Sequence, residues 1–268
     1  MNPKTAKAAT RTVAITGAAR GIGEAIAREL AGRGHTLLLG DLDTAGVEAL
    51  GAELGATAGF VDVTDQASYG GWLALVPVVD VLVNNAGVMW VGAFDDEPEE
   101  VARKQFDVNF HGVVRGTRLV LPAMRARRSG LVVTVASVAS YIAPAGEATY
   151  AATKHAVLGW MTAVRQELRG SGVTLALVLP TVVETELALG TASGGVPPLT
   201  PADVARAVAG VIDKPRFETF VPSRVTVLAR LLAVLPQRGR DLMYARLVPD
   251  QVAATDHAAR ADYEARRL

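Results

Sequence analysis

Apolar positions along this chain follow two patterns that alternate. Short, nearly unbroken apolar runs stand at Thr12–Thr16, Thr36–Leu39, Gly59–Val63, Val78–Val83, Leu131–Ala136, Val173–Leu179 and Phe217–Val221. Runs of this length, rich in Val and Leu, predict strands buried on both faces. Between them, apolar residues spaced by three and four predict helices, among them Ile22–Gly32, Val101–Arg127, Tyr150–Gly170 and Pro201–Ile212. Strand and helix in alternation imply right-handed crossovers. The expected fold is therefore α/β, a single doubly wound parallel sheet with helices on both faces. The expected division is a polar tail over 1–11, the sheet domain over 12–222 and a helical extension over 223–268.

Composition narrows the picture only a little. Half of the 268 residues are hydrophobic and a fifth are charged, the balance of an ordinary globular enzyme. Lys plus Arg equals Asp plus Glu at 27 each, so no net positive charge is available to neutralise nucleic-acid phosphates. The chain has no cysteine, which excludes disulfides, thiolate catalysis and Cys-ligated metals. Met1 to Arg11 is polar, with Lys4, Lys7 and Arg11, and lacks the apolar core of a signal peptide. No apolar run approaches the roughly 20 residues that cross a bilayer; Val225–Leu235 comes nearest and contains Arg230. The expectation is a cytoplasmic protein without a transmembrane span.

The first chemically informative segment follows the first strand. Thr16-Gly17-Ala18-Ala19-Arg20-Gly21-Ile22-Gly23 is a glycine-rich strand-to-helix turn. Such a turn lets the backbone approach a pyrophosphate whose charge the helix N-terminus stabilises, as in a Rossmann-type fold. Asp41 closes the second strand 18 residues after Gly23, near the position expected of an acid that binds the adenosine ribose. Its carboxylate would also repel a 2′-phosphate; one unit-charge pair about 4 Å apart costs about 4 kcal/mol near a protein surface. NAD is therefore the expected cofactor and NADP the alternative, with Arg20 as the residue that could offset the repulsion. Asp43 reads as a helix N-cap.

Two further segments carry chemistry. Asn84-Asn85-Ala86-Gly87 follows the fourth apolar run, at the sheet edge where open α/β folds bind ligands. Tyr150 and Lys154 are four residues apart, hence on one helix face, and Ser137 ends the strand before them. Tyr141 has no Lys four residues on, and His111 and His155 lack a metal-like partner set. No metal site is expected.

Taken in order, these motifs resemble the short-chain dehydrogenase/reductase family. The likeness covers about Thr12 to Val221: the TGxxxGIG turn, Asp41, Asp62-Val63, the NNAG motif, Asn109, Ser137 and the YxxxK pair Tyr150 and Lys154. It implies an oxidoreductase that interconverts a secondary alcohol and a ketone. Tyr150 would donate or accept the proton. Lys154 would lower the tyrosine pKa by about 3 units, about 4 kcal/mol, and bond the nicotinamide ribose. Ser137 would stabilise charge on the substrate oxygen, and Asn109 would hold a water linking Lys154 to solvent. The cofactor contacts implied are Gly17, Arg20, Gly21, Ile22, Gly23, Asp41, Asp62, Val63, Asn85, Ala86, Gly87, Tyr150, Lys154, Pro180, Val183 and Thr185. Thr181 stands where the family usually has Gly, and a β-branched residue resists a positive φ. The stretch from Asp65 to Val79 is about one helical turn shorter than usual. Trp90 reads either as a cleft residue or as core.

The substrate-facing positions implied are Ser137, Val138, Ala139, Ala143, Pro144, Ala145, Gly146, Tyr150, Leu187 and Leu189. All but Ser137 and Tyr150 are apolar or small, which points to a lipophilic, steroid- or retinoid-like substrate. The extension reads as a lid or an oligomer contact, with a membrane-surface helix as a third reading. Family likeness implies a homodimer or homotetramer built on the helices Val101–Arg127 and Tyr150–Gly170. Two other classes are open: a non-catalytic nucleotide-sensing protein on this fold, and an epimerase or dehydratase that would need a larger substrate domain.

Overall fold

A computed structural model describes residues 10–268. Lys4 and Lys7 of the expected tail lie outside the described residues. Arg11 belongs to the fold: its backbone N–H donates to His35 Nδ1 at 3.3 Å and its guanidinium to the Ile212 carbonyl at 3.0 Å.

Seven strands form one parallel sheet: β1 Thr12–Thr16, β2 Thr36–Asp41, β3 Thr57–Phe60, β4 Val81–Asn84, β5 Gly130–Val135, β6 Val173–Pro180 and β7 Glu218–Val221. Their order is β3-β2-β1-β4-β5-β6-β7, so the chain winds outward from β1 in one direction and then from β4 in the other. The expected doubly wound sheet is what forms. Its central strands are apolar on both sides because both sides are covered. On one face Ile15, Leu39, Val83 and Val133 pack under α1 (Gly21–Gly32) and α7 (Pro201–Asp213). On the other, Ala14, Leu38, Leu82 and Leu177 pack under α3 (Gln66–Leu73), α5 (Gly112–Ala126) and α6 (Ala148–Glu167).

Two of the differences from the expected elements bear on the site. The third strand ends at Phe60, so Asp62 and Val63 lie in the loop beyond it. The helix expected at Val101–Arg127 is three pieces: α4 (Glu99–Phe106), a π-helical turn over Asp107–His111 and α5. A π turn inserts a residue without breaking the apolar stripe, so periodicity alone does not show it. Five of the eleven α-helix starts among the described residues carry side-chain caps, among them Asp43 on α2 (Thr44–Leu54), Asp65 on α3, and a Thr200–Asp203 capping box on α7. α1 is different. Its N-cap is Arg20, and no side chain bonds the first-turn N–H groups.

The chain then continues through α8 (Val225–Val234), α9 (Gln237–Leu247), α10 (Gln251–Ala254) and α11 (His257–Arg267). Among the described residues no helix is long and apolar enough to cross a membrane. α11 returns to the C-terminal edge of the sheet. The Arg260 guanidinium, fully buried, donates to the carbonyls of Met89 (2.8 Å), Leu187 and Leu189 (both 3.0 Å). The Tyr263 hydroxyl accepts from the Met89 N–H at 3.1 Å.

Candidate active site

Two cavities open at the C-terminal ends of the strands and meet at Ile22, Asn85, Gly87, Thr185 and Leu187. The first, about 540 Å³, is floored by Gly17, Gly21, Asp41, Asp62 and Val63, with Ala86 beside them. Its walls are set by the glycine turn. A Cβ on Gly23 would lie 1.9 Å from the Gly17 carbonyl oxygen, and one on Gly17 would lie 2.9 Å from Ala86 Cα. Gly17 and Gly21 also have φ of +66° and +57°. The Asn85 amide donates to the Thr16 and Gly17 carbonyls, both at 3.0 Å, which fixes the turn against β4. The uncapped first turn of α1 is a preformed anion site at the edge of this space. A dinucleotide pyrophosphate fits there: the backbone is bare where it must approach, and the helix end has no competing cap.

Asp41 holds its carboxylate at the cavity wall by accepting from the N–H groups of Ala19 and Asp43, each at 3.0 Å. Arg20 is already engaged. It pairs with Asp43 and reaches Glu186 Oε2 at 3.3 Å. Asp43 caps α2 with its other oxygen. Three cations not singled out from the sequence, Lys104, Arg266 and Arg267, stand on the rim. Asp62 accepts from both the N–H and the hydroxyl of Thr64.

The second cavity, about 210 Å³, contains Ser137, Tyr150 and Lys154, with Pro180, Val183 and Thr185 on one wall. α6 begins two residues before Tyr150 and buries both Tyr150 and Lys154, whose Nζ lies 5.3 Å from the tyrosine ring centre. Ser137 caps a short 3₁₀ turn by accepting from the Ala139 N–H at 3.0 Å, and its nearby hydroxyl favours the Tyr150 phenolate, a smaller effect than burial. Burial sets the protonation of the pair. It pushes the Tyr150 phenol well above the usual tyrosine range and Lys154 down to about 8. The lowering expected for Tyr150 is therefore outweighed by desolvation, and the phenol is held protonated.

Asn109 sits in the π turn. Its amide clamps the Val88 backbone, accepting from the N–H at 2.9 Å and donating to the carbonyl at 2.8 Å, and also donates to Thr153. The side chain is thus spent on the loop after the NNAG motif. Thr181 adopts no positive φ: among the described residues Arg128 is the only non-glycine that does. Tyr141 points to Glu218 on β7, at 2.9 Å, and Trp90 lines neither cavity.

Of the substrate-facing positions, Ser137, Val138, Ala139, Pro144, Tyr150 and Leu187 line the second cavity. Ala143, Ala145, Gly146 and Leu189 do not. The Ala145 carbonyl accepts from the Gln251 N–H at 3.0 Å, and a Cβ on Gly146 would meet Val252 N at 2.9 Å. That stretch is covered by the extension. Val225, Leu228, Leu247 and Pro249 of the extension complete the wall. Sequence reasoning also missed Glu147, the N-cap position of α6, which lines the cavity but makes no side-chain hydrogen bond among the described residues. It is 8 % exposed, and burial pushes its carboxyl up to about 7. A Glu one helical turn before Tyr150 could have been flagged from spacing alone.

A parallel doubly wound sheet, a bare glycine turn at an uncapped helix and a buried Ser–Tyr–Lys group define an oxidoreductase that works with a nicotinamide dinucleotide. The chain belongs to the short-chain dehydrogenase/reductase family, whose sequence model, described as short chain dehydrogenase, matches residues 11–193. It is 38% identical over 188 residues to the oxidoreductase UcpA of Salmonella typhimurium, covering 66% of this chain and 71% of that one. A short-chain dehydrogenase/reductase from Burkholderia phymatum, solved in complex with NAD, superposes with a TM-score of 0.77 at 26% identity, over 92% of this chain and 99% of that one. A metagenomic short-chain oxidoreductase solved with NADP gives 0.69 at 29% identity, over 80% and 96%.

Proposed function

We propose that the protein interconverts a secondary alcohol and a ketone with NAD, Tyr150 carrying the proton. The observation that carries this reading is the joining of the two cavities at Ile22, Gly87 and Thr185, directly beside Ser137, Tyr150 and Lys154. When bound, the nicotinamide supplies or takes the hydride. The residues do the rest. Ser137 holds the substrate oxygen against the Tyr150 hydroxyl. The phenol, kept protonated by burial, donates to that oxygen as the alcohol forms. Lys154 at about 8 is cationic at neutral pH and stabilises the phenolate left behind. Asn109 acts by fixing the Val88 backbone, and so the edge of the site, rather than by holding a water with its amide.

For the cofactor, the paired state of Arg20 supports NAD over NADP: with its charge met by Asp43 and Glu186, Asp41 is the dominant field at the ribose end. The largely apolar wall supports a lipophilic substrate, with the extension as its lid. The test is a panel of ketones and alcohols assayed with NADH and NADPH. Turnover of lipophilic ketones with NADH supports the reading. Comparable turnover of phosphorylated substrates, or tighter NADPH binding, overturns it.

A further inference from the structure

α8 is apolar on two opposite faces. Val225, Ala229 and Leu232 are buried against the body of the protein, and Val225 and Leu228 line the second cavity. On the outer face Val227 is 74%, Leu231 45% and Val234 77% exposed. At 3.6 residues per turn these three share one stripe, and Arg224 and Arg230, both exposed, fall on its two flanks. α9 repeats the arrangement: exposed Leu242 lies between Arg238 and Arg246 on one face. Over 224–247 the chain has five arginines and one carboxylate, Asp241, which accepts from Gln237. Among the described residues, Glu218, on β7, is the only other acid facing these helices through a bond, 3.5 Å from Arg230.

We propose that this outer face docks the protein on an anionic lipid surface, with α8 lying in the interface. The observations select this occupant. Arginines flanking an apolar stripe let the stripe enter the acyl boundary while the guanidinium groups stay at headgroup level. Their unbalanced charge complements anionic headgroups. A second copy of the chain meeting this face about a two-fold axis would set the same arginines against one another. The ten residues of α8 are too few to cross a bilayer, so the helix lies on the membrane. Its inner side, through Val225 and Leu228, walls the second cavity, so the docked helix would lie between that cavity and the lipid. The proposal is independent of the reaction the site performs.

The test is co-sedimentation of the whole protein with vesicles of phosphatidylcholine, alone or with about one-third phosphatidylglycerol, at low and high salt. A double substitution, Val227→Asp with Val234→Asp, alters two side chains that make no core contact; thermal melting checks that it folds. The expected result is binding to the phosphatidylglycerol vesicles only, weakened by salt and at least about tenfold weaker in the double variant. Arg224→Gln with Arg230→Gln flattens the salt dependence. No binding to anionic vesicles, or equal binding by a folded double variant, overturns the proposal. So does self-association in sedimentation velocity without lipid that the double variant abolishes, since the face would then belong to a second copy.

Discussion

Glu147→Gln isolates one buried carboxyl and makes its contribution readable against pH. Glu147 is 8 % exposed, and burial raises its pKa from 4.5 to about 7; the nearby Arg260 opposes this but is committed to three carbonyls and Glu264. Between those two values the folded protein keeps a proton that the unfolded chain has lost, so stability falls as pH rises through the window. At about 1.4 kcal/mol per pH unit the loss is about 3 kcal/mol by pH 7. Glutamine keeps the shape and does not titrate. Every other group, including Lys154 at about 8, is common to both proteins and cancels in the difference. Melting temperatures of the two proteins, compared from about pH 5 to about pH 8, should therefore diverge. The variant gains roughly 5–10 °C relative to the parent as pH rises. Parallel curves would refute the claim that the cavity holds an unpaired, neutral carboxyl.

Three other outcomes follow from the geometry. Asp41→Ser removes the charge proposed to face the ribose 2′ position; the ratio of NADPH to NADH affinity, read by fluorescence titration, should rise at least about tenfold, and no change would assign the choice to the rim cations Lys104, Arg266 and Arg267. Arg260→Met leaves the carbonyls of Met89, Leu187 and Leu189 without their donor at about 1–3 kcal/mol each. Chemical denaturation should show a loss of about 3 kcal/mol or more, with a raised KM because two of those carbonyls belong to the cavity loop. Gly23→Ala forces a Cβ to 1.9 Å from the Gly17 oxygen, whereas Gly32→Ala meets nothing within 4 Å. The first should abolish dinucleotide binding, and the second should leave it intact and stabilise the fold by up to about 1 kcal/mol, measured by the same titration and by melting.

The sheet was legible because its strands are buried on both faces, and burial of that kind leaves an apolar run in the sequence at each one. Strand ends were less legible: β3 stops at Phe60 although the apolar run continues to Val63, because Val61 and Val63 pack under the neighbouring helices from a loop. The π turn at Asp107–His111 was hidden because it preserves the apolar stripe. At the site, the glycine turn, Asp41 and the group Ser137, Tyr150 and Lys154 could be read from local spacing. Arg260 and Tyr263 could not be assigned in that way, and spacing places Glu147 near Tyr150 without showing its burial. The first two come from a helix more than a hundred residues later in the chain than Tyr150, and the third acquires its character only when the extension closes over it. Arg20 shows the same limit: its second partner, Glu186, comes from a segment 166 residues away.

The most direct test of the proposed chemistry is Tyr150→Phe, compared with the parent for NADH binding and for reduction of a lipophilic ketone. The phenyl ring keeps the packing around Lys154 and removes only the hydroxyl beside Ser137. NADH affinity should stay within about threefold while turnover falls at least about a hundredfold, the scale of a lost general acid. Turnover equal to that of the parent, with binding intact, would contradict the assignment of the proton to Tyr150.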